Sequence, residues 1–512
     1  MAAAGWSRHR LLGVVLLSLL LGATAVTVPA ATAFSRSAPS DASSGAVVAT
    51  TSYVGGPPVT ELLAVYNSRA DLQSAFPNAA TNVTNFSKLI NWADGVVTDQ
   101  WSDGSYSLLA PFGYYYILMS TYNSRADLQA AYPSAYTTSS HYDSLVSWAG
   151  GVISGASPDG AYSSLASFGY WYALMSIYNS RSDLKSIYPH AYTNMTSFSG
   201  LVEWAGWLVS STSTDSAYES LAAFGYYYAL MSTYSVRSDL QSAYPNAFTT
   251  FPSYTGLVSW ADGVVTGQWN DGSYATLAPF GYYYALLGTY NNRPDLQAAY
   301  PDAYTVFAHH EGLTVWASGV VTGASHDGAY TTLRPFGYRY AVMGVYYSRP
   351  DLQAAFPYAF TDFASYTNLI NWAAWVSDTG ADGSYVVLSP FGYYYNMMWV
   401  WDGRLDLQTT YPNAFTDWAD LQGLALWAGE VVNGTIIDPS QPTLQPYGYW
   451  FVLFGLVYEQ RLDLQATYPV AWTNGATFQD LYVWADEVVT LQIIDPAYTT
   501  LLPYAGTYIY LG

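Results

Sequence analysis

The chain contains no cysteine among its 512 residues, and only 10% of its residues are charged. Without cysteine it cannot form disulfides, cysteine-ligated zinc sites, iron–sulfur clusters or a cysteine nucleophile. Only 15 residues are Lys or Arg against 36 that are Asp or Glu, giving a formal net charge of -21. A nucleic-acid-binding protein needs a basic surface, and this composition does not supply one. A chain of this composition must be stabilised by packing and ion pairs instead of disulfides.

Apolar and aromatic residues, by contrast, are abundant. Hydrophobic residues make up 51% of the chain and aromatic residues 18%, including 51 tyrosines. Intrinsic disorder goes with low hydrophobicity and high charge. The composition therefore predicts a folded, aromatic-rich protein.

The N-terminus has the order of features found in a secretory signal peptide. Basic residues at 8–10 precede an apolar stretch at 11–26, and the small-residue site Ala31-Thr32-Ala33 follows, with cleavage expected before Phe34. The apolar stretch is shorter than the ~20 residues that a membrane-spanning helix needs, so an anchor is the less favoured alternative. We predict a signal peptide at 1–33, a flexible Ser/Ala/Gly/Pro spacer at 34–58, and an extracellular or cell-surface protein without a membrane span after cleavage.

Residues 59–512 are built from one repeated unit. An Arg-x-Asp pair recurs eight times at intervals of 56 residues, with one interval of 55 and one of 57 near the C-terminus. The pairs are Arg69 and Asp71, Arg125 and Asp127, Arg181 and Asp183, Arg237 and Asp239, Arg293 and Asp295, Arg349 and Asp351, Arg404 and Asp406, and Arg461 and Asp463. Such a period indicates stacked repeats with atypical end caps. We predict an all-α, tandem-repeat helical solenoid of eight units; a closed α/α toroid is the alternative.

Helical spacing of apolar residues is visible within a single unit. Pro279 suits the first turn of a long helix, and residues 280–290 carry apolar side chains at helical spacing. Asn291 and Asn292 suit the capping of a short helix through Asp-Leu-Gln. A second amphipathic helix covers residues 254–265 of the preceding unit. Two long helices and one short helix are therefore expected in each unit.

The Arg-x-Asp pairs are interpreted first as structural clasps. Eight of the few basic residues occupy this one position, and a guanidinium can donate two parallel hydrogen bonds to a carboxylate. A second set of repeated acids lies in the loop after the second long helix. These candidate partners are Asp103, Asp159, Asp215, Asp271, Asp327, Asp382, Asp438 and Asp495. We predict a clasp within or between units rather than eight ligand sites.

A Phe-Gly-Tyr-Tyr-Tyr run opens several units, as at 112–116 and 280–284. Successive residues of a helix point about 100° apart, so three neighbouring tyrosines cannot all face one core. Packing between units is the favoured role, with the glycine allowing close approach of helices. The alternative is a set of stacking surfaces for sugar rings. The candidate stacking residues are Tyr114, Tyr115, Tyr116, Tyr282, Tyr283 and Tyr284.

One segment of the unit resembles a known module. Arg-Pro-Asp-Leu-Gln-Ala-Ala-Tyr-Pro at 293–301 and Arg-Pro-Asp-Leu-Gln-Ala-Ala-Phe-Pro at 349–357, each followed by Trp-Ala, are similar to a short helical segment that accompanies prokaryotic glycosyltransferases and sugar-associated methyltransferases. The similarity covers some 25 residues of each unit. It implies a helical accessory module and a glycan context, but no transfer chemistry, because no nucleotide-sugar or methyl-donor domain is visible in the sequence.

Catalysis needs residues that break the repeat, and these concentrate in one place. His309, His310 and His326 lie near Glu311 and Asp327, and Arg334 and Arg339 follow. The histidines are weak metal candidates, because His-His-Glu lacks the spacing of a helical zinc site. No serine-nucleophile elbow or phosphate-binding loop is present. We therefore predict a protein that is not an enzyme and has no cofactor or metal.

Three functions remain open at this stage. The first is a secreted or cell-surface structural or interaction scaffold whose partners are other extracellular proteins or glycans. The second is a carbohydrate-binding protein using Tyr and Trp surfaces, and the third is a glycan-active α/α-toroid enzyme centred on residues 309–327. Four Asn-x-Ser/Thr triplets could carry glycans, at Asn82, Asn85, Asn194 and Asn433.

Overall fold

A computed structural model describes residues 53–211 and 215–511, and these residues form helices, turns and loops with no strand among them. The predicted signal peptide at 1–33 and residues 34–52 of the predicted spacer lie outside the described residues. The array is an all-α helical solenoid of eight units, which we number from the unit of Arg69 to that of Arg461. Within the described residues, no helix combines the length and the apolar character required to cross a bilayer.

Each unit begins with a first long helix. The glycine of the Phe-Gly-Tyr-Tyr-Tyr run is its first residue in units two to eight, and the preceding proline, where there is one, lies in a 3-10 turn. The first long helices are Pro57–Ser68, Gly113–Ser124, Gly169–Ser180, Gly225–Val236, Gly281–Asn291, Gly337–Ser348, Gly392–Asp402 and Gly448–Phe451, the last continuing as a π-helix at Val452–Tyr458. The prediction that Pro279 opens the helix was two residues early, because Ala278–Phe280 forms a 3-10 helix.

A six-residue motif helix follows the arginine of each Arg-x-Asp pair. The motif helices are Ala70–Ala75, Ala126–Ala131, Ser182–Ile187, Ser238–Ala243, Pro294–Ala299, Pro350–Ala355, Leu405–Thr410 and Leu462–Thr467. The predicted capping by Asn291 and Asn292 was wrong: Arg293 occupies the N-cap and no side chain caps the helix. Instead, Gln297 Nε2 donates to the carbonyls of Tyr290 and Asn291 at 3.0 and 2.9 Å. The motif glutamine thus caps the C-terminal end of the first long helix.

A second long helix and a short linking helix complete the unit. The second long helices are Val83–Val97, Ser139–Ile153, Met195–Val209, Phe251–Val265, Phe307–Val321, Phe363–Thr379, Trp418–Val432 and Gly475–Val489. The linking helices are Tyr106–Leu109, Tyr162–Leu165, Tyr218–Ala222, Tyr274–Leu277, Tyr330–Leu333, Tyr385–Leu388, Gln441–Leu444 and Tyr498–Leu501. The linking helix was not predicted, because four or five residues are too few to show a period.

Both ends of the array are atypical, as end caps are expected to be. The described residues start at Tyr53, within the interval predicted as spacer. The Tyr53 ring stacks on Phe86 at 3.8 Å, and its hydroxyl donates to the carbonyl of Ala79. At the other end, the helix Ala505–Leu511 packs as a partial ninth unit, and the Tyr508 hydroxyl donates to the carbonyl of Tyr449.

Neighbouring units are joined by the glycine and by the third tyrosine of the Phe-Gly-Tyr-Tyr-Tyr run. The Phe336 ring of unit six lies so close to Gly281 that a Cβ there would approach it to 2.3 Å, so only glycine fits. The Tyr284 hydroxyl donates to the carbonyl of Tyr226 in the preceding unit at 2.6 Å. Equivalent bonds are Tyr116 to Pro58, Tyr172 to Tyr114, Tyr228 to Tyr170, Tyr340 to Tyr282 and Tyr395 to Tyr338.

The solenoid coils upon itself. The hydroxyls of the linking-helix tyrosines of units one to four bond to threonines of units five to eight, in the pairs Tyr106 and Thr305, Tyr162 and Thr361, Tyr218 and Thr416, and Tyr274 and Thr473, at 2.6–3.0 Å. The same tyrosine rings pack edge-on against the first residue of a second long helix three units further on, namely Phe251, Phe307, Phe363 and Trp418. One turn of the coil therefore holds between three and four units.

Candidate functional site

The Arg-x-Asp clasp closes each unit on itself. In unit four, Arg237 Nε and Nη2 donate to the two carboxylate oxygens of Asp239 at 2.9 and 2.5 Å. Nη1 donates to Asp271 Oδ1 at 2.9 Å, and the guanidinium lies 5.6 Å from the centre of the Trp260 ring. Because Arg237 is the N-cap of the motif helix and Asp271 lies in the loop after the second long helix, the ion pairs tie the start of the motif helix to that loop.

The same ion pairs occur in all eight units. Every motif arginine contacts the acid two residues later and the loop acid of its own unit, at 2.5–3.1 Å. The arginine lowers the pKa of Asp239 to about 2, mainly through the hydrogen bond that the carboxylate accepts. All eight clasps have a complete set of partners within the chain, so their geometry leaves little capacity for a ligand.

The tyrosine runs form a ladder inside the coil. The first tyrosine of one run stacks on the second aromatic residue of the next, for example Tyr226 on Tyr283 at 3.9 Å between ring centres. Of the candidate stacking residues, Tyr115, Tyr116, Tyr283 and Tyr284 are buried, whereas Tyr114 and Tyr282 are partly exposed. Most of each run therefore packs between units.

An interior cavity lies beside this ladder in the first half of the array. It offers about 70 Å³ of solvent-accessible space, and aromatic rings from units two to five line it, including Tyr114, Trp171, Tyr227 and Tyr283. Polar atoms come from Thr193, Asn194 and Thr305. The space suffices for a few water molecules or a small apolar group rather than for a sugar chain.

Arg339 interrupts the ladder with a charge. It occupies the position of the second aromatic residue in unit six, and its guanidinium carbon lies 4.7 Å from the centre of the Tyr282 ring and 3.8 Å from that of Tyr366. Its side chain is only 8% exposed. Within the described part of the chain, no carboxylate lies within ion-pair distance of it. Arg339 is therefore a buried cation held by aromatic rings.

His310 and Glu311 lie at the start of a second long helix, Phe307–Val321. The His310 ring lies 5.3 Å from Phe360, and burial, with the charge of Arg339, lowers the pKa of His310 to about 4. Burial raises the pKa of Glu311 to about 7. His310 and Arg339 are thus neighbours in the interior, a contact that the sequence did not predict, whereas Glu311 is half-buried at the start of the same helix as His310.

The three histidine candidates do not meet at a metal site. His309 Nδ1 bonds to the carbonyl of Pro301, whereas His326 lies in an exposed loop beyond the other end of the same 15-residue helix. At 1.5 Å per residue, that helix separates the two by about 20 Å. No cluster of three potential metal-ligating side chains occurs among the residues with described positions. For the same reason Glu311 and His326 cannot share one catalytic centre.

Several tryptophans are exposed on the outer surface. The side chains of Trp101 and Trp269 occupy the same position of units one and four and are 43% and 55% exposed. Each ring rests on a glycine, Gly95 or Gly263, at which a Cβ would clash. The other exposed tryptophans are Trp207, Trp375 and Trp399. Rings supported on one side and open to solvent are suited to stacking on a ligand.

Of the four Asn-x-Ser/Thr triplets, those of Asn82, Asn194 and Asn433 have an exposed asparagine, whereas Asn85 is half-buried. The side chains of Asn82 and Asn194 accept hydrogen bonds as helix N-caps, and Asn85 Nδ2 donates to the carbonyl of Pro77 at 2.7 Å. Asn433 is exposed at the end of its helix.

Comparisons with protein-family models, with curated proteins and with solved structures find no match to this chain.

Proposed function

We propose that this chain is an exported, non-catalytic scaffold of the cell surface or extracellular space, whose partners are other surface proteins or glycans. The observation that carries the proposal is the repetition of the same joints along the coil: the tyrosine–carbonyl bonds between neighbouring units and the tyrosine–threonine bonds between successive turns. Nearly every repeated polar residue is used to hold the array together, which is what a rigid structural element requires. The signal peptide predicted from the sequence supports export.

Fractionation of cells expressing the full chain tests the export on which the scaffold role depends. We expect the protein in the medium or on the cell surface, with Phe34 as its first residue by N-terminal sequencing. Recovery of the intact chain, still carrying residues 1–33, in the soluble cell interior would contradict the proposal.

Carbohydrate binding is a second candidate function, supported by the glycine-backed rings of Trp101 and Trp269. Aromatic rings stack on sugar faces, and the acidic, cation-poor surface favours neutral over anionic polysaccharides.

A polysaccharide array probed with the mature chain separates the two candidates. If the protein binds glycans through these rings, the double variant Trp101→Ala/Trp269→Ala should lose at least about tenfold in affinity, since each stacking contact contributes about 0.5–1.5 kcal/mol beyond its buried area. Trp399→Ala, which removes an exposed ring of a different position, is the matched control and should bind normally. No binding by the unaltered chain favours the scaffold alone.

A further inference from the structure

We propose that Arg339 is the anchor of an interior binding site for one small monovalent anion, of the halide or formate class. The site is a cavity inside the coil, lined by Arg339 together with Tyr282, Tyr338, Phe360, Tyr366 and Tyr394. It is independent of the scaffold function and of the exposed tryptophans.

Arg339 brings a positive charge into the interior of the coil. At the equivalent position, the other units from the second to the eighth have the aromatic residues Tyr115, Trp171, Tyr227, Tyr283, Tyr394 and Trp450. A planar guanidinium can take the place of a ring in the stack, and Arg339 does so against Tyr282 at 4.7 Å. Unlike a tyrosine, it also carries a full positive charge into a place where it is only 8% exposed.

The surroundings do not neutralise this charge. The eight motif arginines each have two carboxylate partners, whereas Arg339 has none within ion-pair distance in the described part of the chain. The neighbouring His310 ring is neutral at physiological pH. Contacts with two aromatic faces offset part of the cost of burying a cation. A guanidinium, however, has five N–H donors, and among the residues with described positions only the Tyr366 hydroxyl is a side-chain hydrogen-bond partner for them. An anion in the cavity supplies both the missing charge and the missing acceptors.

The size of the cavity selects the class of anion. It offers about 30 Å³ of solvent-accessible space, and one water molecule requires about 10–15 Å³ by this measure. A halide ion or a formate-sized carboxylate fits, whereas a sugar, a nucleotide or a phosphate ester does not. The apolar rings around Arg339 further favour a weakly hydrated ion over a strongly hydrated one.

Thermal unfolding in salts of equal ionic strength tests the site. Replacing gluconate, which is too large to enter, by chloride or bromide should raise the melting temperature of the full chain by about 2–4 °C in a saturable manner, as expected for a ligand that binds only the folded state. Crystals grown in bromide should show an anomalous peak beside the Arg339 guanidinium.

Two variants separate this site from general salt effects. Arg339→Tyr restores the residue that most other units carry at this position, so it should fold and lose the halide response. Arg334→Met removes a second arginine that packs on aromatic rings, 5.0 Å from Phe391, but does not line the cavity, so the response should persist. An equal halide response in Arg339→Tyr, or none in the unaltered chain, would overturn the proposal. A bromide peak without a saturable response would mean an adventitious ion only and would also overturn it.

Discussion

Replacing Arg237 by alanine is expected to lower the free energy of unfolding by about 2–3 kcal/mol. The substitution removes the guanidinium from both carboxylates of the clasp and leaves Asp271, only 14% exposed, without its cation. Breaking a fully buried pair costs roughly 3–5 kcal/mol, and Arg237 is 30% exposed, which reduces that figure. Urea unfolding followed by circular dichroism measures the change.

Two further variants identify which of the two ion pairs of the clasp contributes more to stability. Asp239→Asn breaks only the outer pair, whose carboxylate is 62% exposed, and should destabilise less than Arg237→Ala. Arg237→Lys keeps the charge but cannot form both forked contacts. Its loss of stability should therefore lie between that of Asp239→Asn and that of Arg237→Ala. An unchanged unfolding curve for Arg237→Ala would show that the clasp does not stabilise the unit.

The protein is expected to be most stable near pH 4–5 and to lose stability as the pH rises to 8. Burial raises the pKa of Asp262 and Glu311 to about 7 and that of Asp94 and Asp302 to about 6. Between pH 4 and 7 the unfolded chain releases these protons while the folded chain retains them, so stability falls with rising pH. Below about pH 4 the opposite loss begins, because the unfolded chain binds protons at acids such as Asp239, whose pKa in the folded clasp is lowered to about 2.

Like Glu311, whose pKa is raised to the same value, Asp262 should account for roughly 2–3 kcal/mol of the loss above pH 5. It is 8% exposed, faces Gly288, and its Oδ1 has no hydrogen-bond partner within the described residues. Ser318 and Gly344 are the equivalent pair of the next unit, so Asp262→Ser copies a combination that the chain already uses. This variant should flatten the pH dependence and be more stable than the unaltered chain at pH 8. Identical pH profiles for both proteins would contradict the assignment.

The repeat and its long helices could be predicted from the sequence because they depend on local spacing. The period of the Arg-x-Asp pairs defined the units, and the glycine before the tyrosine run indicated the close approach that Phe336 makes to Gly281. Likewise, the loop acids were candidate partners for the arginines because both sets recur with one period. The motif helix was predicted correctly, whereas its supposed asparagine caps were not.

The coil could not be predicted, because its contacts join residues that look alike in every unit. A threonine follows the turn in all eight units, yet it is 2–4% exposed only in units five to eight, where an earlier turn covers it. One signal did distinguish them: the second long helix begins with an aromatic residue only in units four to seven, at Phe251, Phe307, Phe363 and Trp418. Arg339 is buried because the solenoid coils, so its buried position could not be predicted from the sequence either.

An engineered disulfide between successive turns tests whether the solenoid coils upon itself. An ideal Cβ at Gly267 of unit four lies 3.9 Å from the Cβ of Val470 in unit eight, close to the mean of ~3.8 Å in disulfides. Because the chain has no cysteine, the double variant Gly267→Cys/Val470→Cys contains a single pair of thiols. Gly323, with φ 76° against 75° for Gly267 and no atom within 4 Å of its ideal Cβ, supplies the matched control Gly323→Cys/Val470→Cys.

After mild oxidation, free thiols and non-reducing electrophoresis report the cross-link. We expect the Gly267→Cys/Val470→Cys chain to lose both thiols within one molecule and migrate faster, and the Gly323→Cys/Val470→Cys chain to keep its thiols. Equal reaction in both variants, or free thiols in both, would contradict the coil and with it the rigid scaffold.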